Sequence, residues 1–381
     1  MESERLQTTE KEHIIVDERG LLDLPFLILT ILLVIIGVIM VFSASYARAY
    51  MDEGSSTLYF AKQGGFALAG IVIMWLASRF NYQLWRPLAV PIMIFSIFLL
   101  ILTPFIGVEE NGATRWFILF GVSFQPSEIA KLAVVLLFSA MISSFREKML
   151  TFKYGVLPFA GILMVIAGLL ALEPHLSATM IILGTGGILM MLGGTRWRWI
   201  LLGIGAGILA VILYLKLFGY ASTRITTWQD PFSDPTDNGY QIVQSLYAIG
   251  SGGLMGLGLG RGRQKYLYLP EEHNDYIFSI VCEELGFVGA VLIILLFVLL
   301  IVRGYWIAIH ARDRFGSLVA AGITTLLMLQ VFLNIGVVTN FLPSTGISLP
   351  FFSYGGTALL MQLGEMGIIL NISRSNKRNL L

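Results

Sequence analysis

The chain has 381 residues, of which 56% are hydrophobic and 13% charged, and its mean hydropathy is +0.79. These values lie far outside the range of soluble globular domains and indicate an integral membrane protein. The net charge of +1, without basic blocks, gives no reason to expect a nucleic-acid partner. Cys282 is the single cysteine and the four histidines are scattered, so neither a disulfide framework nor a zinc site is expected.

Apolar runs long enough to cross a bilayer as helices, about 17 to 25 residues, recur along the whole chain. We therefore predict an all-α, polytopic membrane bundle over residues 21–374, with an N-terminal tail (1–20) and a C-terminal tail (375–381). The polar start of the chain does not resemble a cleavable signal peptide. The ten predicted spans lie near 22–44, 62–78, 87–103, 126–145, 154–172, 178–193, 197–217, 276–302, 316–340 and 353–372.

Most of the lysines and arginines fall in the two tails and in alternate loops. The positive-inside rule then predicts that both termini are cytoplasmic. Five loops would lie on the outer side, among them a long loop at about 218–274 and a final loop, Asn340–Gly356, rich in Pro, Gly and Ser. The unusual polar residues concentrate in these outer loops, so function is expected to face outward.

A glycine-rich segment, Gly250–Lys265, stands out in the long loop. Its glycines permit positive φ and a close approach of backbone N–H groups to an anion. With Arg261, Arg263 and Lys265 beside them, a pyrophosphate-binding role is one interpretation. The other is a flexible loop whose cations meet lipid headgroups. The segment matches neither of the common nucleotide-binding glycine motifs.

Asp275 stands where the long loop meets the eighth span. One interpretation is a helix N-cap, because Asp is a favoured capping residue. The other is a general base, because a carboxylate at a membrane boundary near cations is well placed to act on a phosphate-bearing lipid.

Glu128 and Lys131 lie three residues apart near the outer end of the fourth span and share one helix face. Charges within a membrane are costly and normally face one another or a wet cavity. A mutual ion pair is the first expectation, and direct contact with substrate is the alternative.

Four further acidic groups and one histidine carry weaker signals. Glu283 and Glu284 lie deeper in the eighth span, where a buried structural hydrogen bond is expected rather than catalysis. Glu173, at the outer end of the fifth span, is a candidate for the same cavity as Asp275, and His175 and Glu365 are weaker candidates.

Four long motifs occur in order along the chain, and together they resemble the SEDS family, to which FtsW, RodA and SpoVE belong. The resemblance covers Leu21 to Arg374 and is closest to the division and sporulation branch. The motifs are QPSEIAK (125–131), QSLYAIGSGGLMGLGLGRGRQK (244–265), LPEEHNDYIFSIVCEELG (269–286) and NIGVVTNFLPSTGISLPFFSYGG (334–356).

The resemblance implies a ten-helix bundle in the bacterial cytoplasmic membrane that transfers glycosyl groups between lipid II molecules at the outer face. The essential acid of the family matches Asp275, its span-four pair matches Glu128 and Lys131, and its final outer loop matches Pro343–Gly356, where Ser353 is expected to contact substrate. Expected partners are a class B penicillin-binding protein, other division proteins and membrane lipids. The chain departs from the family pattern at four positions: His175, where an acid is usual, and Ser177, Asn274 and Tyr276.

We therefore hypothesise that Asp275 removes a proton from an acceptor hydroxyl as it attacks a donor sugar. The leaving pyrophosphate would be stabilised by Arg261, Arg263, Lys265 and Arg115, with or without a divalent cation (Mg²⁺ or Mn²⁺). Direct displacement would invert the anomeric centre. Two other readings of the spans and polar residues stay open at this point: a lipid flippase or transporter, and a non-catalytic division scaffold.

Overall fold

The computed structural model describes residues 20–110, 113–119, 122–173, 175–218, 226–237 and 239–375. Apart from Gly20 and Ser375, the two predicted tails lie outside the described residues, and so do parts of the predicted long loop, at 219–225 and 238.

Within these ranges the chain forms eleven helices of at least thirteen residues. In chain order they are α1 Leu24–Glu53, α2 Leu58–Ala77, α3 Trp85–Ile106, α4 Pro126–Phe145, α5 Leu157–Leu172, α6 Leu176–Leu192, α7 Trp197–Phe218, α8 Tyr240–Gly252, α9 Ile277–His310, α10 Arg314–Val338 and α11 Gly356–Arg374.

The mostly helical membrane fold is confirmed, and each of the ten predicted spans coincides with a helix. Helix α8 is additional and lies in the long loop. Seven helical segments in the described chain are long and apolar enough to cross a membrane, and α6 is apolar but shorter. The total of ten crossings is consistent with this finding and stays a prediction.

The centre of the bundle is formed by α4 and α10, which are the most deeply buried of the seven. Small residues allow neighbouring helices to approach closely, as is usual in membrane bundles. A Cβ at Gly367 of α11 would lie 2.5 Å from the carbonyl oxygen of Met74 in α2, and one at Gly322 of α10 would lie 2.6 Å from a methyl carbon of Val135 in α4. Larger residues at these positions would push the helices apart.

Helix α9 is broken at Gly286, whose φ is 68° and ψ −172°. The glycine-rich segment lies against this break. The Glu283 and Glu284 carbonyls accept hydrogen bonds from N–H groups of the segment (3.0 Å each), and the first two amides after Gly286 donate to carbonyls of the segment (2.9 and 3.1 Å). The segment therefore satisfies backbone groups that the broken helix leaves without partners, as a membrane environment requires.

A small antiparallel sheet, which the sequence did not predict, connects α3 and α4. Its strands are β1 Val108–Glu110, β2 Ala113–Leu119 and β3 Val122–Phe124, in the order β1-β2-β3. Val108 pairs with Trp116, and Phe117 pairs with Phe124. The sheet brings Arg115 and Trp116 to the wall of a cavity at this end of the bundle.

Candidate active site

A cavity of about 400 Å³ opens at the end of the bundle where α9 begins. Residues from five helices (α2, α4, α6, α10 and α11), from the sheet and from the loops before α9 and α11 form its wall. Five predicted candidates lie on this wall: Glu128, Lys131, Arg115, Asp275 and Ser353, and so does the weaker candidate His175. The cavity thus brings together residues separated by more than two hundred positions in the chain.

Asp275 lies in a tight turn, Glu271–Tyr276, which we call the Asp275 turn. Glu271 has a φ of 55°, and its carbonyl accepts hydrogen bonds from the backbone N–H groups of Asn274 (3.0 Å) and Tyr276 (3.3 Å). The Glu271 carboxylate accepts a further bond from the Asn274 side chain (2.7 Å). These bonds fix the turn from within.

The final loop holds the same turn from outside. The Ser353 hydroxyl donates to the carbonyl of Asn274 (2.8 Å), and the backbone N–H of Tyr354 donates to the carbonyl of His273 (2.8 Å). From α10, the Asn334 amide donates to the backbone carbonyl of Asp275 (2.8 Å). Ser353 therefore positions the Asp275 turn, whereas its predicted contact with substrate stays untested.

The Asp275 carboxylate makes no hydrogen bond to any residue that the structure describes, and it lines the cavity. The residue before α9 that occupies the capping position is Tyr276, without a side-chain capping bond. The N-cap interpretation of Asp275 is therefore wrong. Burial and the negative charge of Glu271 raise the pKa of Asp275 to about 6, although Arg115 and His273 act in the opposite direction.

A buried ion pair supports the turn from α1. Both guanidinium nitrogens of Arg48 that face Glu272 lie 2.8 Å from its carboxylate oxygens, and the Glu272 side chain is fully buried. Burial alone would raise the pKa of Glu272, but hydrogen bonds from His273 and Arg48 outweigh it and lower the pKa overall. Such a two-point contact fixes orientation as well as distance.

Glu128 and Lys131 form the ion pair that their spacing predicted, at 2.7 Å. Both are nearly buried, and both also line the cavity. The geometry therefore supports mutual pairing and leaves direct contact with substrate open.

Arg115 donates to the backbone carbonyl of Glu173 (3.3 Å), so the sheet is tied to the end of α5. Glu173 itself is buried and lies outside the lining of the cavity, and burial raises its pKa to about 7. His175 lines the cavity, and its Nε2 lies 3.0 Å from the Gln125 amide. Burial and the nearby cations Arg115 and Lys131 lower the pKa of His175 to about 3, so the ring is neutral at ordinary pH.

Ser177, one of the positions that depart from the family pattern, makes a structural contact. The Ser177 hydroxyl donates to the backbone carbonyl of Thr345 in the final loop. It therefore ties the start of α6 to the loop that carries Ser353.

The three predicted cations of the glycine-rich segment do not line the cavity. Lys265 is buried, and its ammonium lies 2.8 Å from Glu284 and 3.2 Å from the Ser43 hydroxyl. Arg261 and Arg263 are exposed. A charge already paired in the protein interior is a poor partner for a pyrophosphate in the cavity.

The backbone N–H groups of the segment do bind anions, but these anions belong to the protein. The amides of Gly260 and Gly262 donate to the Glu284 carboxylate (3.0 and 3.3 Å), and those of Arg263 and Gln264 donate to the Glu283 carboxylate (2.7 and 3.3 Å). The expected structural hydrogen bonds of Glu283 and Glu284 are confirmed. The carboxylates of Glu283 and Glu284 therefore accept hydrogen bonds from N–H groups that one interpretation of the sequence had offered to a pyrophosphate.

Residues 23–378 match the family model of the FtsW, RodA and SpoVE cell cycle proteins. The chain belongs to this family. It is 40% identical to a Geobacter sp. (strain M18) protein named probable peptidoglycan glycosyltransferase FtsW, over 92% of this chain and 96% of that one. It is 39% identical to stage V sporulation protein E of Bacillus subtilis (strain 168), over 93% and 98%. A chain of a solved peptidoglycan synthase complex, which coordinates polymerization and crosslinking, has a TM-score of 0.78 at 28% identity, covering 93% of this chain and 98% of that one.

Several residues on the cavity wall of this family member were missed from the sequence. Lys62 on α2 is an exposed cation, and Gln330 and Gln362 are buried amides on α10 and α11. Tyr59 stacks on His273 with ring centroids 5.3 Å apart. Polar residues inside apolar spans were the available signal for the two glutamines, because such residues rarely face lipid.

Proposed function

We propose that this chain is a peptidoglycan glycosyltransferase that polymerises lipid II into glycan strands during cell division. Relatives about 40% identical over most of the chain carry that activity in their names. The observation that carries the proposal is the carboxylate of Asp275, which is held rigidly on a cavity wall and makes no hydrogen bond to a described residue.

Asp275 is the general base in this proposal. Its ionised carboxylate takes the proton from an acceptor sugar hydroxyl while the hydroxyl oxygen attacks the anomeric carbon of the donor. The bond to the lipid-linked pyrophosphate breaks as the new glycosidic bond forms, so the anomeric centre inverts. A second carboxylic acid is unnecessary, because pyrophosphate is already a good leaving group, unlike the sugar oxygen that glycosidases must protonate.

Lys62 takes the place of Arg261, Arg263 and Lys265 at the leaving group, beside Arg115, which was expected there from the sequence. Lys62 and Arg115 line the same cavity as Asp275, and Arg115 is close enough to lower the pKa of that carboxyl. Positive charge at this position stabilises the negative charge that develops on the departing phosphates.

A divalent cation fits this site only if substrate phosphates complete its shell. The described residues contain no group of three or more acidic, His or Cys side chains with metal-binding geometry. Glu271 and Asp275 both line the cavity, and one or two carboxylates with phosphate oxygens are the usual ligands of Mg²⁺. When bound there, Mg²⁺ or Mn²⁺ would add positive charge beside the leaving group. No step described above depends on it.

The active site is assigned to one side of the membrane, and partner proteins are assigned to the chain. The distribution of Lys and Arg favours cytoplasmic termini and an active site on the extracytoplasmic side of the membrane. A solved relative belongs to a complex that polymerises and crosslinks. Crosslinking is transpeptidase chemistry, which supports a class B penicillin-binding protein as partner here, with other division proteins beside it.

Purified protein in detergent, supplied with lipid II, tests the proposal because detergent offers no second compartment. Wild-type protein should form glycan chains, detected by gel electrophoresis of labelled product. Asp275→Asn should reduce the rate about 10²- to 10⁴-fold, the range for loss of a general base, while it retains the wild-type unfolding temperature. If folded wild-type protein, with and without the transpeptidase and Mg²⁺, makes no chains, the flippase alternative gains support. Parental activity in Asp275→Asn would exclude this carboxylate as the base.

A further inference from the structure

The inner end of the cavity is lined by uncharged polar groups that the catalytic proposal does not use. Gln330 of α10, Gln362 of α11 and Ser177 of α6 are all buried, and each lines the cavity. Counted at 1.5 Å per residue, Gln330 and Gln362 lie roughly 9 to 12 Å from the ends of their helices nearest the opening. We call this region the inner pocket.

Gln330 is only 5% exposed and its side chain lines the cavity, and no hydrogen bond joins its amide to another residue in the part of the chain that the structure describes. Gln362 accepts one bond at Oε1 from the backbone N–H of Phe351 (3.0 Å), and its amide nitrogen donates none to described residues. Burying an amide in a membrane bundle without a partner is costly. The unused donors and acceptors therefore point to a ligand in the cavity.

The charge of the inner pocket favours a neutral ligand over a phosphate. Its only cation, among the described residues, is Lys131, which is paired with Glu128 at 2.7 Å. Glu365, buried on α11, lies near both members of the pair but outside the lining of the cavity. Lys62 and Arg115, the other cations on the wall, lie nearer the opening: the residue after Lys62 donates to the carbonyl of Ser353 (3.2 Å), in the final loop.

We propose that the inner pocket binds an N-acetylhexosamine unit, with the Gln330 and Gln362 carboxamides contacting its acetamido group and hydroxyls. A carboxamide matches an acetamido group with one donor and one acceptor, and it suits sugar hydroxyls equally well. The inference rests on the proposed function, since it assigns one saccharide of the substrate to this pocket and the pyrophosphate to the cations nearer the opening.

The test measures binding separately from catalysis. Full-length protein in detergent is mixed with the soluble disaccharide of N-acetylglucosamine and N-acetylmuramic acid, which lacks lipid and pyrophosphate, and saturation-transfer NMR follows the acetyl methyl signals. Wild-type protein should saturate them, and Gln330→Leu should weaken binding about tenfold, as expected for one lost hydrogen bond that leaves its partner unpaired. Inorganic pyrophosphate should bind Gln330→Leu as it binds wild type.

The matched control is Thr325→Val, which removes a buried hydroxyl from α10 away from the cavity wall. It should bind the disaccharide normally. If Gln330→Leu does not fold, Gln330→Glu serves instead, because a carboxylate cannot donate to the acetamido carbonyl. In the polymerisation assay, Gln330→Leu should raise the KM for lipid II about tenfold with little change in kcat.

Two results would overturn the inner-pocket proposal: no binding of the disaccharide to wild-type protein, or equal binding to folded wild-type and Gln330 variants. Either result leaves the polymerase proposal intact if wild-type protein still makes glycan chains. Conversely, disaccharide binding that depends on Gln330, in a protein that makes no chains, would support the pocket and overturn the proposed function.

Discussion

The glycine-rich segment and the Asp275 turn are neighbours in sequence and each carries three charged residues, but the two regions use their charges in opposite ways. In the segment, Lys265 pairs with Glu284, and backbone amides bind the Glu283 and Glu284 carboxylates. In the turn, Glu272 is paired with Arg48, whereas Asp275 is left facing the cavity. A cluster of charges is thus informative about function only after its internal partners have been assigned.

This difference has a physical origin in α9. The break at Gly286 leaves backbone groups that must be satisfied inside the membrane bundle, and the glycines of the segment allow the chain to come close enough to do so. A Cβ at Gly256 would lie 2.2 Å from the carbonyl oxygen of Glu284. The glycines therefore allow two backbone segments of the chain to approach closely, and we infer that their main role is structural.

The largest effect should follow from breaking the Lys265–Glu284 pair. Lys265→Met leaves a fully buried carboxylate without its counter-ion, which typically costs about 3 to 5 kcal/mol of the free energy of unfolding. We expect a much lower unfolding temperature in detergent. Lys265→Met combined with Glu284→Met should unfold at a higher temperature than Lys265→Met alone, because no charge is then left unpaired. A stable Lys265→Met protein with a raised KM for lipid II would return the segment to the role of a substrate site.

The next effect concerns the support of the Asp275 turn. Arg48→Lys keeps the charge beside Glu272 but loses the two-point contact, so the turn and Asp275 should shift. Displacement of a catalytic group by about 1 Å can cost on the order of 10²-fold in rate, and we expect a loss of this size in kcat. Arg86→Lys, at an exposed contact with Ser144, is the control and should leave kcat unchanged. A normal kcat in Arg48→Lys would mean that the turn is held without Arg48.

A smaller effect separates the cations of the two regions directly. Lys62→Gln removes a cation from the cavity wall and should raise the KM for lipid II about tenfold, as for a charge-assisted contact to phosphate. Arg261→Gln and Arg263→Gln remove exposed charges outside the cavity and should change KM by no more than about twofold. The reverse order of effects would show that pyrophosphate binds at the glycine-rich segment.

Helix positions and some local pairs could be predicted because they depend on short-range patterns. Spans follow from runs of apolar residues, and the Glu128–Lys131 pair follows from its spacing along one helix. The partner of Lys265 could not be predicted, because Ser43 and Glu284 meet it only after α1, α9 and the long loop have packed together.

On the cavity wall, too, some residues could be predicted from the sequence and others could not. Asp275 could be singled out by its place at the junction of loop and span, and its family motif added to that signal. Arg48 and Lys62 could not be singled out from the sequence. Arg48 has a role because the tertiary fold brings it to Glu272, and Lys62 because the fold places it on the wall of the cavity. The sheet was missed because its strands are short and lie between two apolar spans.

The effect that is smallest near neutral pH is a pH dependence, and it separates Asp275 from Glu173, two carboxyls outside the spans whose pKa values are raised. A raised pKa keeps the carboxyl protonated at low pH, so a base with a pKa of about 6 gains activity as pH rises through that value. For wild-type protein, kcat/KM should therefore fall about tenfold per pH unit below 6. His175, with a pKa of about 3, stays neutral throughout and cannot produce this change. Glu173, with a pKa of about 7, could produce this change, so the pH profile of Glu173→Gln decides which of the two carboxyls titrates. If the midpoint stays near 6 in Glu173→Gln, Asp275 is the titrating base; if the pH dependence disappears, Glu173 controls the rate, and a residue outside the cavity lining governs the chemistry within it.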